Sequence, residues 1–374
     1  MPRFLVLLLA IISTLSAELL FAQVWFRHGA RAPTIYMRFP SEPDDYGSMF
    51  PYEKGELTND GKMMEYHLGK KLRQEFAGFA PESYLPHENM VYFDEDNRTS
   101  DSAALVMAGF YPPTDKQIWN PELIWNPVAL HQADILVKPG MGLANSCPKI
   151  GAVAKERPEF WNLLNYDQPL RIMLQKASGV NIYTPKTMSD VMDEYRTRAR
   201  LQDPRLPVEP WVDDAMVARI KSVQENMTLA FFAFPEVSQS IGDILQVPEM
   251  RFFCDYGASF IVELHKIGKD LVLKFFFSDS YGVPRWEVTV PKCGKTCLLS
   301  NFRAVFGKET VNDVQFWSQC KEIPGEESGS VALIFALIAV IIALLLTNVF
   351  SCMKMNRIQS RRNTLDNERS PLLL

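Results

Sequence analysis

The 374-residue chain reads as an α/β fold, a central sheet with flanking helices, that carries an inserted helical domain and one C-terminal transmembrane helix. Three observations carry that reading. Strand-like and helix-like patterns alternate from residue 18 to residue 110. A proline-broken helical stretch, residues 138–241, interrupts them before strand patterns return. Residues 331–350 hold no charge, and twenty residues rising about 1.5 Å each cross a hydrocarbon core of about 30 Å.

Residues 1–17 open with Arg3, continue through the apolar run 4–12 and close on the small residues Ser13, Ser16 and Ala17, the pattern of a cleaved secretory leader. An apolar, β-rich run over 18–26 then ends directly in Arg27-His28-Gly29, which predicts a buried strand delivering a loop. A helix is predicted over 55–76, with Thr58 and Asn59 as capping candidates and Met63, Met64, His67, Leu68 and Leu72 recurring at helical spacing. Residues 91–93 read as a strand, and 98–110 as a helix turning Ala103, Ala104, Val106, Met107 and Phe110 inward. The α/β domain is thus expected over 18–137 and 242–320, around a helical insertion punctuated by Pro158, Pro169, Pro185, Pro204, Pro207 and Pro210. Its second half offers strands at 250–254, 259–264, 271–278 and 286–290, with Gly268-Lys269-Asp270 as a hairpin turn. A polar spacer, 321–330, leads to the span 331–350 and a tail, 351–374.

Flanking charge sets the orientation. Lys354, Arg357, Arg361 and Arg362 follow the span while Glu322, Glu326 and Glu327 precede it, so the tail is cytosolic and the chain a single-pass type I membrane protein. A net charge of −5 supplies no basic face for nucleic acid. Cys147, Cys254, Cys293, Cys297 and Cys320 all lie on the lumenal side, an oxidising compartment, and only Cys352 follows the span. Five is odd, so one lumenal thiol is expected outside any disulfide within the chain, with Cys254 the candidate. Cys293 and Cys297 have no second Cys or His pair nearby, which favours a short-loop disulfide over a metal pair. Nor do His67, His87, His131 and His265 make a ligand spacing, and neither metal nor cofactor is expected. Asn226-Met227-Thr228 is a glycosylation acceptor. In the tail, Glu368 with Leu372 and Leu373 resembles an acidic dileucine motif read by a sorting adaptor, which suits an endolysosomal destination, with the plasma membrane the alternative.

The chemistry sits in the first loop. His28 stands between Arg27 and Arg31, with Pro33 stiffening the exit. A neutral imidazole with one nitrogen fixed by a hydrogen bond is a competent nucleophile toward phosphorus. The guanidinium groups on either side can each grip phosphate oxygens bidentately, in the ground state and as the phosphoryl group transfers. A solitary histidine at a strand end is more often part of the core. Two arginines inside a window of five residues make a core role too costly here.

At these residues the chain resembles the histidine acid phosphatases, a family that includes prostatic and lysosomal acid phosphatases and the phytases. The match begins with Val24-Trp25-Phe26-Arg27-His28-Gly29-Ala30-Arg31-Ala32-Pro33. It continues through Gly55-Glu56-Leu57-Thr58, Met64-Glu65-Tyr66-His67, Asn97-Arg98-Thr99, Phe110-Tyr111-Pro112-Pro113 and Ile118-Trp119-Asn120-Pro121. Ser146-Cys147-Pro148, Cys293, Cys297 and Cys320 also correspond, so the resemblance runs from about residue 18 to 320. It implies a mixed central sheet interrupted by a helical cap, and catalysis through a covalent phosphohistidine. His28 would be the nucleophile, Arg27, Arg31 and Arg98 the phosphate clamp, and a phosphate monoester the substrate. Cys147 would pair with Cys320 and Cys293 with Cys297, and a homodimer is the implied assembly.

One departure is plain. Relatives carry a His-Asp dipeptide at the end of a central strand, whose Asp protonates the leaving alcohol, and no His-Asp occurs in this chain. Between Ile241-Gly242-Asp243-Ile244-Leu245 and Tyr256-Gly257-Ala258 the sequence is shorter than in relatives, so strand and dipeptide are absent as one block. Asp255 is the remaining proton-donor candidate. Two readings follow: an acid phosphatase with impaired leaving-group protonation, and a catalytically silent membrane protein that binds phosphorylated ligands.

Overall fold

The computed structural model describes residues 17–40, 44–45, 52–94, 96–132, 163–201, 208, 211–230, 241–242, 244–250, 254–307 and 318. In chain order the first half contains β1 (Ala17–Phe26), α1 (Asn59–Glu75), β2 (Val91–Phe93), α2 (Asn97–Phe110) and β3 (Leu130–Gln132). Three helices follow, α3 (Gln168–Ser178), α4 (Pro185–Leu201) and α5 (Asp214–Ala230). The second half contains β4 (Ser259–Ile267), β5 (Asp270–Ser278), β6 (Trp286–Val288), β7 (Cys297–Leu298) and α6 (Leu299–Phe306).

The larger sheet has the order β1-β4-β5-β6, with β7 also paired to β5, and every pairing in it is antiparallel. β2 and β3 form a separate parallel pair. Parallel and antiparallel pairing therefore both occur, but in different sheets among the described residues, where the resemblance implied one mixed sheet. The hairpin of β4 and β5 turns on Gly268 and Lys269, because Ile267 pairs with Asp270. Gly268 takes a left-handed φ of 64° there, which a residue without a Cβ adopts at no steric cost.

Several predicted boundaries move, each for a local reason. The first helix starts at Asn59 rather than 55, because the backbone of 55–58 is committed to the first loop. Ala32 N donates to Glu56 O at 2.9 Å, Gly55 N to Pro33 O at 3.0 Å and Thr58 N to Ala30 O at 3.0 Å. Thr58 then caps α1, its hydroxyl oxygen accepting from Gly61 N at 3.1 Å. The buried face of α1 is Met64, Leu68 and Leu72, while Met63 is 50% exposed and His67 is exposed, one position off that stripe. On α2, Ala103, Val106 and Phe110 are buried as the spacing predicts, whereas Ala104 and Met107 are half-buried. In the segment expected as a strand over 250–254, Met250 closes a 3₁₀ turn, Pro248–Met250, started by a residue whose fixed φ favours it. β6 stops at Val288, ahead of another such turn at Pro291–Cys293.

α1 and α2 cover one face of the larger sheet through Leu68, Leu72, Val106, Phe110, Tyr111 and Ile261. The opposite face packs Phe260, Phe275, Phe277 and Val288 with Phe306 of α6. Cys293 and Cys297 are disulfide-bonded in that layer, and Cys254 is a buried thiol of the same cluster. α3, α4 and α5 build a separate apolar cluster of Leu170, Leu174, Met188, Met192, Tyr195 and Ile220, completed by Phe39 from the chain that leaves the first loop. Arg198 of α4 locks that junction: it pairs with Glu194 at 2.7 Å, donates to Met37 O at 3.1 Å and lies 4.0 Å above the Phe39 ring. Cys147, Cys320, the spacer and the expected span 331–350 lie outside the described residues. Among those described, no helix is long and apolar enough to cross a membrane.

Glu65 is the one acidic residue of α1 that is completely buried, and neither carboxyl oxygen has a hydrogen-bond partner. Burial raises its pKa well above 4.5. The folded protein therefore holds a proton on Glu65 that the unfolded chain releases near the ordinary glutamate value. Its contribution to stability is full below about pH 4.5 and is lost as pH rises through the folded pKa. Glu65→Gln removes this dependence: the gap between variant and wild-type melting temperatures widens in the variant's favour from pH 4.5 to neutrality, as thermal unfolding followed by circular dichroism will show.

Candidate active site

β1 ends at Phe26, and the chain leaves the sheet with Arg27 N still anchored to Ala258 O at 2.9 Å. The loop that follows is pressed against the first turn of α1. A Cβ on Gly29 would stand 2.3 Å from Gly61 O, and one on Gly61 would stand 1.9 Å from Ala30 O, so both positions need glycine. That contact and the three backbone bonds to 55–58 hold the loop rigidly.

His28 is 7% exposed, with Nδ1 2.9 Å from Gly29 O. A carbonyl oxygen only accepts, so Nδ1 carries the proton and Nε2 keeps its lone pair. Burial first, and then Arg27, Arg31 and Arg98, lower the imidazole pKa well below 6.5, against the opposing bond to Gly29. Imidazolium in this setting would be a fourth cation among three.

The three arginines are fixed by different elements. Arg27 donates through Nη1 to Cys254 O at 2.8 Å and lies 4.6 Å above the Tyr256 ring, which also meets the His28 ring at 5.7 Å. Arg31 donates through Nη1 to Ala32 O and to Asp193 Oδ2, both at 3.0 Å, and through Nη2 to Asp193 Oδ1 at 3.5 Å. Arg98, in the first turn of α2, is 8% exposed, is paired with Asp96, and has an Nε without a hydrogen-bond partner. Burial foremost, and then Arg31 and Arg27, lower its pKa from the ordinary arginine value, against the opposing pull of Asp96 and Asp94. One turn further along α2, Ser102 Oγ accepts from Gly29 N at 3.3 Å. Three guanidinium groups gathered at one neutral imidazole suit an oxyanion with several acceptor oxygens.

The sequence-predicted residues Arg27, His28, Arg31 and Arg98 thus come together, and Asp255 stands at their edge. Asp255 Oδ1 accepts from Tyr256 N at 2.8 Å and from Arg196 at 3.4 Å. Burial would raise its pKa, but Arg196, the Tyr256 amide, Arg27 and Lys221 outweigh that and lower it. It is therefore ionised in the acid range, better suited to accepting a bond than to donating a proton. Sequence reasoning missed Asp193, Arg196 and Arg200, which recur on one face of α4. Burial would raise the Asp193 pKa, yet Arg31 above all, with Arg196 and Arg27, brings it below the usual carboxylate value. Arg200 completes the stripe with bonds to Asp60 and Met64 Sδ.

Comparison with known proteins agrees with the resemblance read from the first loop. The family described as "Histidine phosphatase superfamily (branch 2)" matches residues 18–199. Venom acid phosphatase Acph-1 of Apis mellifera is 32% identical over 339 residues, covering 79% of this chain and 86% of that protein. Lysosomal acid phosphatase of Rattus norvegicus is 25% identical over 382 residues, covering 89% and 88%. Among solved structures, the apo form of Hafnia alvei phytase superposes with a TM-score of 0.56 at 13% identity, over 82% of this chain and 99% of that one, a likeness of fold.

Two measurements test this geometry. The His28 imidazole is expected to stay neutral well below pH 6.5, seen as an unshifted tautomer pattern in ¹⁵N NMR as the pH is lowered. Asp193→Asn is expected to free the Arg31 fork and tighten inhibition by inorganic phosphate about tenfold, the factor provided by about 1.4 kcal/mol of charged hydrogen bonding. A weaker inhibition constant would instead make Asp193 the group that orients Arg31.

Proposed function

The chain belongs to the histidine phosphatase superfamily (branch 2), and from that membership we propose that it is an acid phosphatase hydrolysing phosphate monoesters through a phosphohistidine on His28. The observation that carries the reading is the Nδ1–H bond to Gly29, which leaves Nε2 as a lone pair amid Arg27, Arg31 and Arg98. In the first step the Nε2–phosphorus bond forms and the bond from phosphorus to the ester oxygen breaks, with the electron pair leaving on the alcohol oxygen. The three guanidinium groups hold the non-bridging oxygens through the transfer. In the second step a water oxygen attacks phosphorus, the phosphorus–nitrogen bond breaks and inorganic phosphate departs. Because the nucleophile must be neutral, a depressed His28 pKa keeps the base available at acid pH.

The leaving oxygen has no His-Asp donor, and Asp255 is held as a carboxylate. Positioned general acids contribute about 10²–10⁴-fold, most where the leaving group is a strong base. Aryl phosphates therefore suit this site better than alkyl phosphates. The same shortage favours a second reading, a phosphatase-like membrane protein that binds phosphorylated ligands without turning them over.

We read the rest of the chain on the same terms. A leader over 1–17, a span over 331–350 and a cytosolic tail make it a single-pass type I protein. Lysosomal relatives support an endolysosomal or secretory-pathway location, with Glu368, Leu372 and Leu373 addressing a sorting adaptor. The helical insertion 138–241 serves as the cap, Cys147 pairs with Cys320, Asn226 of α5 carries a glycan, and two chains associate as a homodimer.

The deciding assay uses the full chain at acid pH with an aryl phosphate and its alkyl counterpart. The wild type is expected to turn over the aryl ester and to favour it over the alkyl ester by about 10²-fold or more, with His28→Ala inactive on both. Asp255→Asn is expected to leave the aryl-to-alkyl ratio unchanged. Phosphate binding with no turnover by the wild type would establish the silent binder.

A further inference from the structure

A second cavity of about 410 Å³ opens along the C-terminal half of α1, between that helix and the turn that follows β5. None of Arg27, His28, Arg31 and Arg98 lines it. Its walls are of two kinds. Leu68, Leu72 and Val283 give it an apolar side, while Lys71 and Arg285 with the hydroxyls of Ser280 and Tyr281 give it a polar one.

The cations there are incompletely matched. Arg285 pairs through Nη2 with Glu75, but its Nη1 is buried with no hydrogen-bond partner. Lys71 Nζ reaches one acceptor, Val283 O, at 3.4 Å, which leaves two of its N–H donors for a ligand. Lys70 adds a third positive group at the rim against the single carboxylate of Glu75. Burial, and for Lys71 also the neighbouring Arg285, works against both charges, and the Arg285 pKa is pushed down to about 10. Opposite them, His67 Nδ1 and the Tyr281 hydroxyl are bonded at 3.0 Å. A guanidinium edge and an ammonium converging on one space suit a tetrahedral oxyanion. The volume exceeds what a bare phosphate fills and lies in the range of small-molecule sites.

We propose that this cavity is a second, non-catalytic binding site for a phosphate-bearing small molecule, with its phosphate held by Lys71 and Arg285 and its organic part against Leu68, Leu72 and Tyr281. The site does not depend on turnover at His28. A ligand there bears on the first loop through α1, whose Gly61 touches Ala30, and through Tyr281, whose amide donates to Tyr256 O at 2.9 Å.

The test is equilibrium binding of inorganic phosphate and of phenylphosphonate, which no phosphatase cleaves, to the full chain in detergent. Both are expected to show a class of binding that Lys71→Gln weakens about tenfold, while aryl phosphate hydrolysis stays within about twofold of wild type. Phenylphosphonate should bind this class about tenfold more tightly than phosphate, because the ring is buried. Hydrogen exchange on the wild type gives a readout independent of any variant: phenylphosphonate should protect the amides of residues 278–285. Absence of Lys71-sensitive binding, phosphate binding there without phenylphosphonate, or unaltered exchange over 278–285 each overturns the assignment.

Discussion

Placing one neutral imidazole within reach of three buried or half-buried guanidinium groups is the constraint around which this molecule is organised. Like charges at such distances repel, and each must be taken at least partly out of water, so none would hold its place without fixed partners. The chain supplies them from every neighbouring element: Cys254 O for Arg27, Asp193 for Arg31 and Asp96 for Arg98. The backbone does the same for the loop itself, through the edge-to-edge bonds with 55–58 and the contact of Gly29 with Gly61. The energy of assembling the site is thus met by folding and is not drawn from substrate binding, which is how preorganised electrostatics become useful in a transition state.

The counter-charges also tie α4 to the elements around the first loop. α4 presents Asp193 to Arg31, Arg196 to Asp255 and Arg200 to Asp60, while Arg198 on its other side anchors Met37 and Phe39. These are partners for residues in or just after the first loop, at the start of α1 and ahead of β4. A shift of α4 would therefore take the carboxylate of Asp193 from Arg31 and the guanidinium of Arg196 from Asp255, which ties this helix to the site through those two residues.

Much of the site was legible in the sequence because its chemistry is local: Arg27, His28, Gly29 and Arg31 fall within five consecutive positions, and Arg98 was supplied by resemblance. The β4–β5 hairpin and the Thr58 cap were legible for the same reason, since a turn glycine and a capping hydroxyl act on residues two or three positions away. What escaped was non-local. Nothing in residues 55–58 announces that their amides and carbonyls are spent on residues 30–33, which is why the helix was read too early. Asp193 and Arg196 look, as a pattern, like an ordinary solvated helix face, and they acquire meaning only when tertiary packing sets that face against Arg31 and Asp255. β3 is a three-residue strand that exists by pairing with β2, with too little periodicity of its own to read.

The absent His-Asp block has a structural counterpart, because β4 pairs directly with β1 along its length up to Phe26 and Ser259, leaving no strand between them at the end where the first loop emerges. Charge capture and leaving-group protonation are separable demands, and the sheet meets them unequally. Capture depends on Arg27, Arg31 and Arg98, carried by the first loop and α2, and the shortened segment still contributes the Cys254 carbonyl that holds Arg27. On the proposed reading, protonation calls for an acid beside β1, where the resemblance puts the donor, and the candidate Asp255 is occupied by its own amide bond and by Arg196. On the proposed reading, a site built this way would discriminate among esters by how well the departing oxygen bears negative charge, far more than by how tightly the phosphate is held.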